Sequence, residues 1–215
     1  MPNNWSPFTV EAWGKDQNPT RLPLSNSPIS VKTIMVSLLK WTVQDYHHLI
    51  EQGLLDGKKV ELLDGNLVTM PPEGPLHSYT NNVSADYLRR NLQGLALVRE
   101  AHPITLSCSE PEPDIAIVVP PDERYKDRHP QVDDIFWLIE VANSTQAYDL
   151  NDKKQIYARD GIPEYWVADL TNHQLFVFRD PKNEDYDLQQ TYSEGIICSQ
   201  AFPKIKISVQ EMFRW

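Results

Sequence analysis

The run Ile135-Phe-Trp-Leu-Ile-Glu-Val141 is the feature that most restricts what this chain can fold into. An almost unbroken apolar strand of this kind has no wet face, so it belongs at the centre of a sheet with cover on both sides. Glu140 is the anomaly within it. A carboxylate there either has a partner, because burying it alone is costly, or sits just past the sheet edge and touches water. Asp114 has the same character: it follows Pro113 and opens the apolar stretch Ile115-Ala-Ile-Val-Val119, which stops at Pro120-Pro121.

The surrounding pattern supplies the layers. Thr42 with Asp45 reads as a helix start that runs through Tyr46, Leu49 and Ile50 to Gly53. Two apolar runs then flank Asp64-Gly65, a strong short hairpin signal. His77 to Leu92 carries apolar residues close to helical spacing, while Leu95–Arg99 and Pro103–Leu106 read as strand material. A polar loop spans Asp122 to Asp134. After the central strand come a helix from about Asp149 to Asp160, ended by Gly161, and a hairpin of Tyr165–Ala168 with Leu175–Phe178. Lys204–Ile207 reads as a short strand, and Ser208 with Glu211 opens a last helix. This order predicts an α/β fold with a sheet of mixed direction. Residues 1–35, rich in Pro, Asn and Ser, read as an extended arm, and residues 36–215 as one domain.

The helix after Glu140 brings in a third chemical group. At about 100° per residue, Leu150, Ile156 and Tyr157 define an apolar face, and Asn151, Asp152, Gln155 and Arg159 the wet one. Lys153 projects near the middle of the apolar face, whereas Lys154 lies beyond its edge. A lysine on the core side needs an anion, unless it snorkels to solvent. Glu140 and Asp114 are the anions on offer. Two carboxylates on neighbouring strand ends suit Mg²⁺, which takes oxygen ligands and keeps several waters, with Mn²⁺ as a substitute. Such an ion polarises a phosphodiester and lowers the pKa of a water, and an ammonium beside it stabilises developing negative charge.

The order Pro113-Asp114 and then Glu140-Val141-Ala142 resembles the PD-(D/E)xK nuclease superfamily, with Ala142 standing in the usual lysine slot. Ile139-Glu-Val-Ala-Asn-Ser-Thr145, followed by Asp149, Lys153, Tyr157, Gly161 and Glu164-Tyr-Trp166, resembles the Uma-type family of restriction endonucleases more specifically. In that family the lysine lies on the following helix, and its position falls on Lys153. Glu61-Leu-Leu-Asp-Gly65 and Ser109-Glu-Pro-Glu-Pro-Asp114 also match family segments. The resemblance, from about Thr42 to the C-terminus, implies a restriction-endonuclease-like sheet flanked by helices, a divalent metal on Asp114 and Glu140, and a homodimer. It makes Glu61 a further candidate for the site, although a solvent-facing strand position fits that residue equally well. Asp149 reads as a helix N-cap in preference to a ligand, His77 as a capping or surface residue at a helix start that could also line the cleft, and the adjacent His47 and His48 as pointing too far apart to share a metal.

The functional expectation is a Mg²⁺-dependent endonuclease acting on DNA, with Asp114, Glu140, Lys153 and Glu61 as site residues. The competing expectation is a non-catalytic module of the same fold that binds nucleic acid or a protein. A net charge of −10 argues against general coating of DNA. No stretch is apolar for long enough to span a membrane, no signal-peptide pattern opens the chain, and Cys108 and Cys198 are far apart, so a cytoplasmic setting is expected.

Overall fold

The structure is a computed structural model, and it describes residues 38–143 and 148–215. The expected arm over residues 1–35 lies outside the described residues. A six-stranded sheet in the order β3-β4-β5-β6-β7-β8 organises the rest. Its strands are β3 (Leu97–Glu100), β4 (Ile115–Val118), β5 (Ile135–Ala142), β6 (Glu164–Asp169), β7 (Gln174–Lys182) and β8 (Asp185–Tyr192). The apolar run is β5, placed between antiparallel β4 and parallel β6, the only parallel pair named among them. Its central position explains its composition, because both faces are covered. Trp137 and Ile139 pack with α2 (Pro75–Asn91) and the C-terminal helix, while Leu138 and Ala142 pack with Ile156 and Tyr157.

Ahead of the sheet, Thr42 and Asp45 form a reciprocal capping box at the start of α1 (Val43–Glu51). His47 anchors this helix by pairing its Nε2 with both carboxylate oxygens of Glu110, at 2.7 and 2.8 Å. The expected hairpin forms as β1 (Val60–Leu63) and β2 (Asn66–Thr69), a separate two-stranded ladder. Asp64 and Gly65 turn it with φ of 46° and 70°, the left-handed pair that a tight two-residue turn requires. The Gly65 N–H donates to the Cys108 carbonyl, and Leu62 bridges Glu110, so the hairpin lies on the segment leading into β4.

Several local expectations change. Pro103–Leu106 forms no strand, although Ile104 and Leu106 are buried; an apolar loop had imitated strand material. The segment after Glu140 begins as a π turn over Asp149–Lys153 before it becomes α3 (Lys154–Asp160), which Gly161 ends at φ 85°. Asp149 is therefore inside the helical turn rather than at its cap. The last strand shrinks to β10 (Ile207–Ser208), paired with β9 (Ile196–Ile197), before α4 (Val209–Phe213). No helix among the described residues is long and apolar enough to cross a membrane, and both cysteines are free.

Candidate active site

Antiparallel register brings the two leading carboxylates together. Ile115 on β4 faces Ile139 on β5, so the next step along each strand sets Asp114 opposite Glu140. Residues opposed in this way share a face of the sheet. Glu140 is on the face of Leu138 and Ala142, the face that α3 covers. Lys153 reaches down from that helical segment and places Nζ 3.0 Å from Glu140 Oε1. Tyr157 donates its hydroxyl to the same oxygen, also at 3.0 Å. Asp114 is fixed separately: its Oδ2 accepts the Val141 N–H at 2.7 Å and lies 3.1 Å from His77 Nε2.

The hairpin delivers the next member. Glu61 on β1 is buried, accepts the Glu112 N–H at 3.1 Å, and puts Oε1 3.9 Å from Lys153 Nζ. Of the two readings left open for Glu61, the structure gives the buried one. Asp149 is buried as well, with Oδ1 4.0 Å from the same ammonium. Lys154, the alternative lysine, instead pairs with Asp185 at 2.8 Å and lies over the Phe178 ring. The four residues expected to act together thus line a single cavity of about 250 Å³, roofed by β2 and the Pro-rich segment after it.

The cavity is rich in acid. Glu61, Glu73, Glu112, Asp114, Glu140 and Asp149 line it, against Lys59 and Lys153. Burial pushes the Glu140 carboxyl well above its usual range; Lys153 opposes that shift, and Asp114 and Asp149 add to it. Burial alone would lower the Lys153 pKa, but Glu140, Glu61, Asp149 and Asp114 outweigh it and raise the pKa, so the lysine stays protonated. Burial likewise disfavours the His77 cation, yet its hydrogen bond and charge contact with Asp114 bring the net shift upward. Glu112 rises through burial and then through Glu61.

Three contributors had a different leading reading in the sequence. His77 had read first as a capping or surface residue and second as one lining the cleft; the start of α2 turns it inward onto Asp114. Tyr157 had read as plain core, yet at four residues after Lys153 it shares that face and its hydroxyl meets Glu140. Asp149, four residues before Lys153, was masked by its resemblance to a cap. An i, i+4 spacing about the lysine was the available signal for the last two.

The hydrogen bonds to each leading carboxylate fall on one oxygen only, Oδ2 of Asp114 and Oε1 of Glu140, leaving the second oxygen of each an open acceptor among the described residues. No group of three or more His, Cys, Asp and Glu side chains among the described residues is arranged to enclose a metal ion. The open donor set of Asp114 and Glu140 is all oxygen, the kind that hard divalent ions take. It fits Mg²⁺, which binds through one or two carboxylates and retains its waters.

A mixed sheet flanked by helices, with two carboxylates and a lysine gathered at the ends of its central strands, defines a restriction-endonuclease-like protein. Residues 43–210 match the family Uma2, described as "Putative restriction endonuclease", and the chain belongs to that family. Among solved structures, one described as a "putative nuclease belonging to DUF820" from Anabaena variabilis superposes with a TM-score of 0.58. The match covers 73% of this chain and 90% of that one at 16% identity, a likeness of fold. A search of curated proteins finds no match.

Proposed function

We propose that this protein is a Mg²⁺-dependent endonuclease that hydrolyses phosphodiester bonds of DNA at the Asp114–Glu140–Lys153 cavity. The observation that carries the reading is the convergence of two strand-end carboxylates with a buried, protonated lysine 3.0 Å from one of them. Membership in a family described as restriction endonucleases supports it.

Asp114 and Glu140 would hold the ion through their open oxygens, with Mn²⁺ as a substitute. When bound, the ion supplies Lewis-acid polarisation of the phosphodiester and a lower pKa for a nearby water. The protein's own groups do the rest. Val141 and His77 fix the rotamer of Asp114, while Lys153 and Tyr157 fix that of Glu140. Lys153, held protonated by the surrounding acids, cannot act as a base; its ammonium stabilises the charge that gathers on the phosphoryl oxygens. Glu61, with Oε1 3.9 Å from Lys153 Nζ, would accept the proton of the attacking water. The water oxygen bonds to phosphorus, and the bond from phosphorus to the leaving sugar oxygen breaks. Burial excludes bulk water and strengthens each of these electrostatic contacts.

The test is cleavage of plasmid and single-stranded DNA by purified protein with Mg²⁺ or Mn²⁺, alongside Asp114→Ala and Lys153→Ala. Loss of cleavage in both variants is the expected result, and activity that survives in both removes the assignment. If the wild type neither cleaves nor binds Mg²⁺ or Mn²⁺ by titration calorimetry, the chain is a nuclease-fold binding module instead. The homodimer that the family resemblance implies is checked by light scattering.

A further inference from the structure

The cavity at the site has a neighbour on each side. One, of about 480 Å³, shares Lys59, Met70, Glu73, Glu112 and Asp114 with it. The other, of about 260 Å³, shares Val68 and Tyr148. These shared walls are different residues, so the site cavity lies between the other two. The order follows β2. Asn66 lines the outer cavity, Val68 both that cavity and the site, and Met70 the site and the larger cavity. Alternate residues of a strand share a face, so a single track runs along the underside of β2 for roughly 13 Å.

The chemistry varies along the track. The carboxylates and Lys153 lie at its middle. Lys58 and Lys59 line the larger cavity beside Asp56 and Glu73, and Arg159, paired with Asp64 at 2.9 Å, lines the outer one beside Asp152. Between the acid centre and Arg159 stands Tyr148, half-buried against the core layer of α3 and shared by two cavities. A centre suited to a divalent ion, cationic side chains among the acids of both arms and an aromatic face between them match a chain of phosphates with one unstacked base. The central groups are also deep: Glu140 is 3% exposed, Glu61 4% and Lys153 7%. The phosphates of a duplex lie on the outside of a stiff rod, and a net charge of −10 repels such a rod over its length.

Building on the endonuclease reading, we propose that the substrate is a single polynucleotide strand that runs beneath β2, its scissile phosphate at the acid centre and a neighbouring base stacked on Tyr148. Base–aromatic stacking is the usual grip on single strands, because every base offers a π face. Burial raises the Tyr148 hydroxyl to about 12, so the ring stays neutral beside the phosphates.

The experiment uses the full chain and one sequence presented as single-stranded DNA, blunt duplex DNA and single-stranded RNA, each with Mn²⁺. The single strand should be cut at least about tenfold faster than the duplex, and the DNA-to-RNA ratio assigns the sugar. A duplex cut as fast as the single strand, or faster, overturns this inference and leaves the endonuclease reading intact. Cleavage of none of the three overturns the endonuclease reading instead. Binding is then read by anisotropy of a labelled single strand with Ca²⁺ in place of Mn²⁺, an ion that also takes carboxylate oxygens. Tyr148→Ala should weaken it by about 5- to 100-fold, with Tyr148→Phe close to wild type. Wild-type affinity in Tyr148→Ala overturns the path. Arg159→Gln, on the exposed rim, gives the same reading by weakened binding should Tyr148→Ala fail to fold.

Discussion

Lys153→Met removes the cation of the site while keeping most of its volume, and the distances set the scale of the damage. With an effective dielectric near 20, contacts of 3.0, 3.9 and 4.0 Å to Glu140, Glu61 and Asp149 amount to about 5.5, 4.3 and 4.2 kcal/mol of gross attraction. Desolvation of the ammonium offsets most of this, and breaking a buried pair by deleting one partner costs about 3–5 kcal/mol. The lower end applies here, because Glu140 is already biased toward its neutral form and has an escape by taking up a proton. A loss of about 3 kcal/mol lowers the melting temperature by about 6–12 °C in a chain of this size. The pH dependence follows from the same groups. The folded pKa of Glu140 lies above its unfolded value, so its contribution is present at low pH and fades as pH rises through the folded value. Without Lys153 that folded value moves further up, and the variant should lose more stability than wild type between pH 5 and pH 8. Lys153 itself, raised in the fold, keeps its contribution below an unfolded value of about 10.4 and loses it only above that. Glu140→Gln provides the contrast. The amide still accepts from Lys153 and Tyr157, and Glu61 and Asp149 still face the ammonium, so the loss is about 1 kcal/mol. Thermal melts by circular dichroism at pH 5 and pH 8 measure all of this. A Lys153→Met protein that melts within 2 °C of wild type at both pH values, or a Glu140→Gln protein that is the more damaged of the two, refutes the reasoning.

Tyr157→Phe deletes only the hydroxyl that donates to Glu140 and should cost about 1–1.5 kcal/mol, seen as a melting temperature about 2–6 °C lower. Asp134 is held down to about 2 by its hydrogen bond to Arg128, with Arg124 at 2.8 Å. Its contribution is present above about pH 3.9 and lost as pH falls toward 2; because both arginines are part-exposed, Asp134→Asn should cost about 1 kcal/mol at pH 7 and flatten the acid limb of the melting profile. Gly65→Ala adds a Cβ at φ 70° that would lie 2.7 Å from Lys40 Cβ, so about 1–3 kcal/mol should be lost, and an unchanged melting temperature would show the turn to be softer than drawn.

Burial on both faces was readable in β5 because a central strand needs it, and the Asp64-Gly65 turn was readable because few residue pairs accept two left-handed positions. β8 was not anticipated. It is an edge strand whose sequence, Asp185-Tyr-Asp-Leu-Gln-Gln-Thr-Tyr192, buries little beyond Tyr186, and its ladder with β7 supplies what its side chains do not announce. At the site, the projection favoured Lys153 over Lys154 although its ideal α geometry runs through a π turn. The choice survives because α3 must bury Ile156 and Tyr157, and that face carries Lys153 along with it. Glu61 stayed ambiguous because its burial comes from long-range docking of the hairpin on the segment before β4, which no local pattern encodes.

Ala142 explains why the ammonium comes from a helix. It lies two residues beyond Glu140 on the same face of β5, the slot where the related nuclease motif carries its lysine. Here that slot is fully buried and packed into the layer shared with Ile156 and Tyr157. A lysine at Ala142 would have to displace close-packed apolar contacts to reach Glu140, and overpacking of that kind costs about 1–3 kcal/mol. From the π turn, Lys153 approaches the same carboxylate from above, passes its stem along the helix, and meets Glu61 and Asp149 as well. The helix-borne position thus places one cation among four acids, Asp114 included, which a strand-borne lysine beside Glu140 would not do as directly. On the endonuclease reading, that excess of acid also reconciles a chain at −10 with a phosphate substrate: the cavity's own charge would favour a divalent ion first, and a phosphate only in its company.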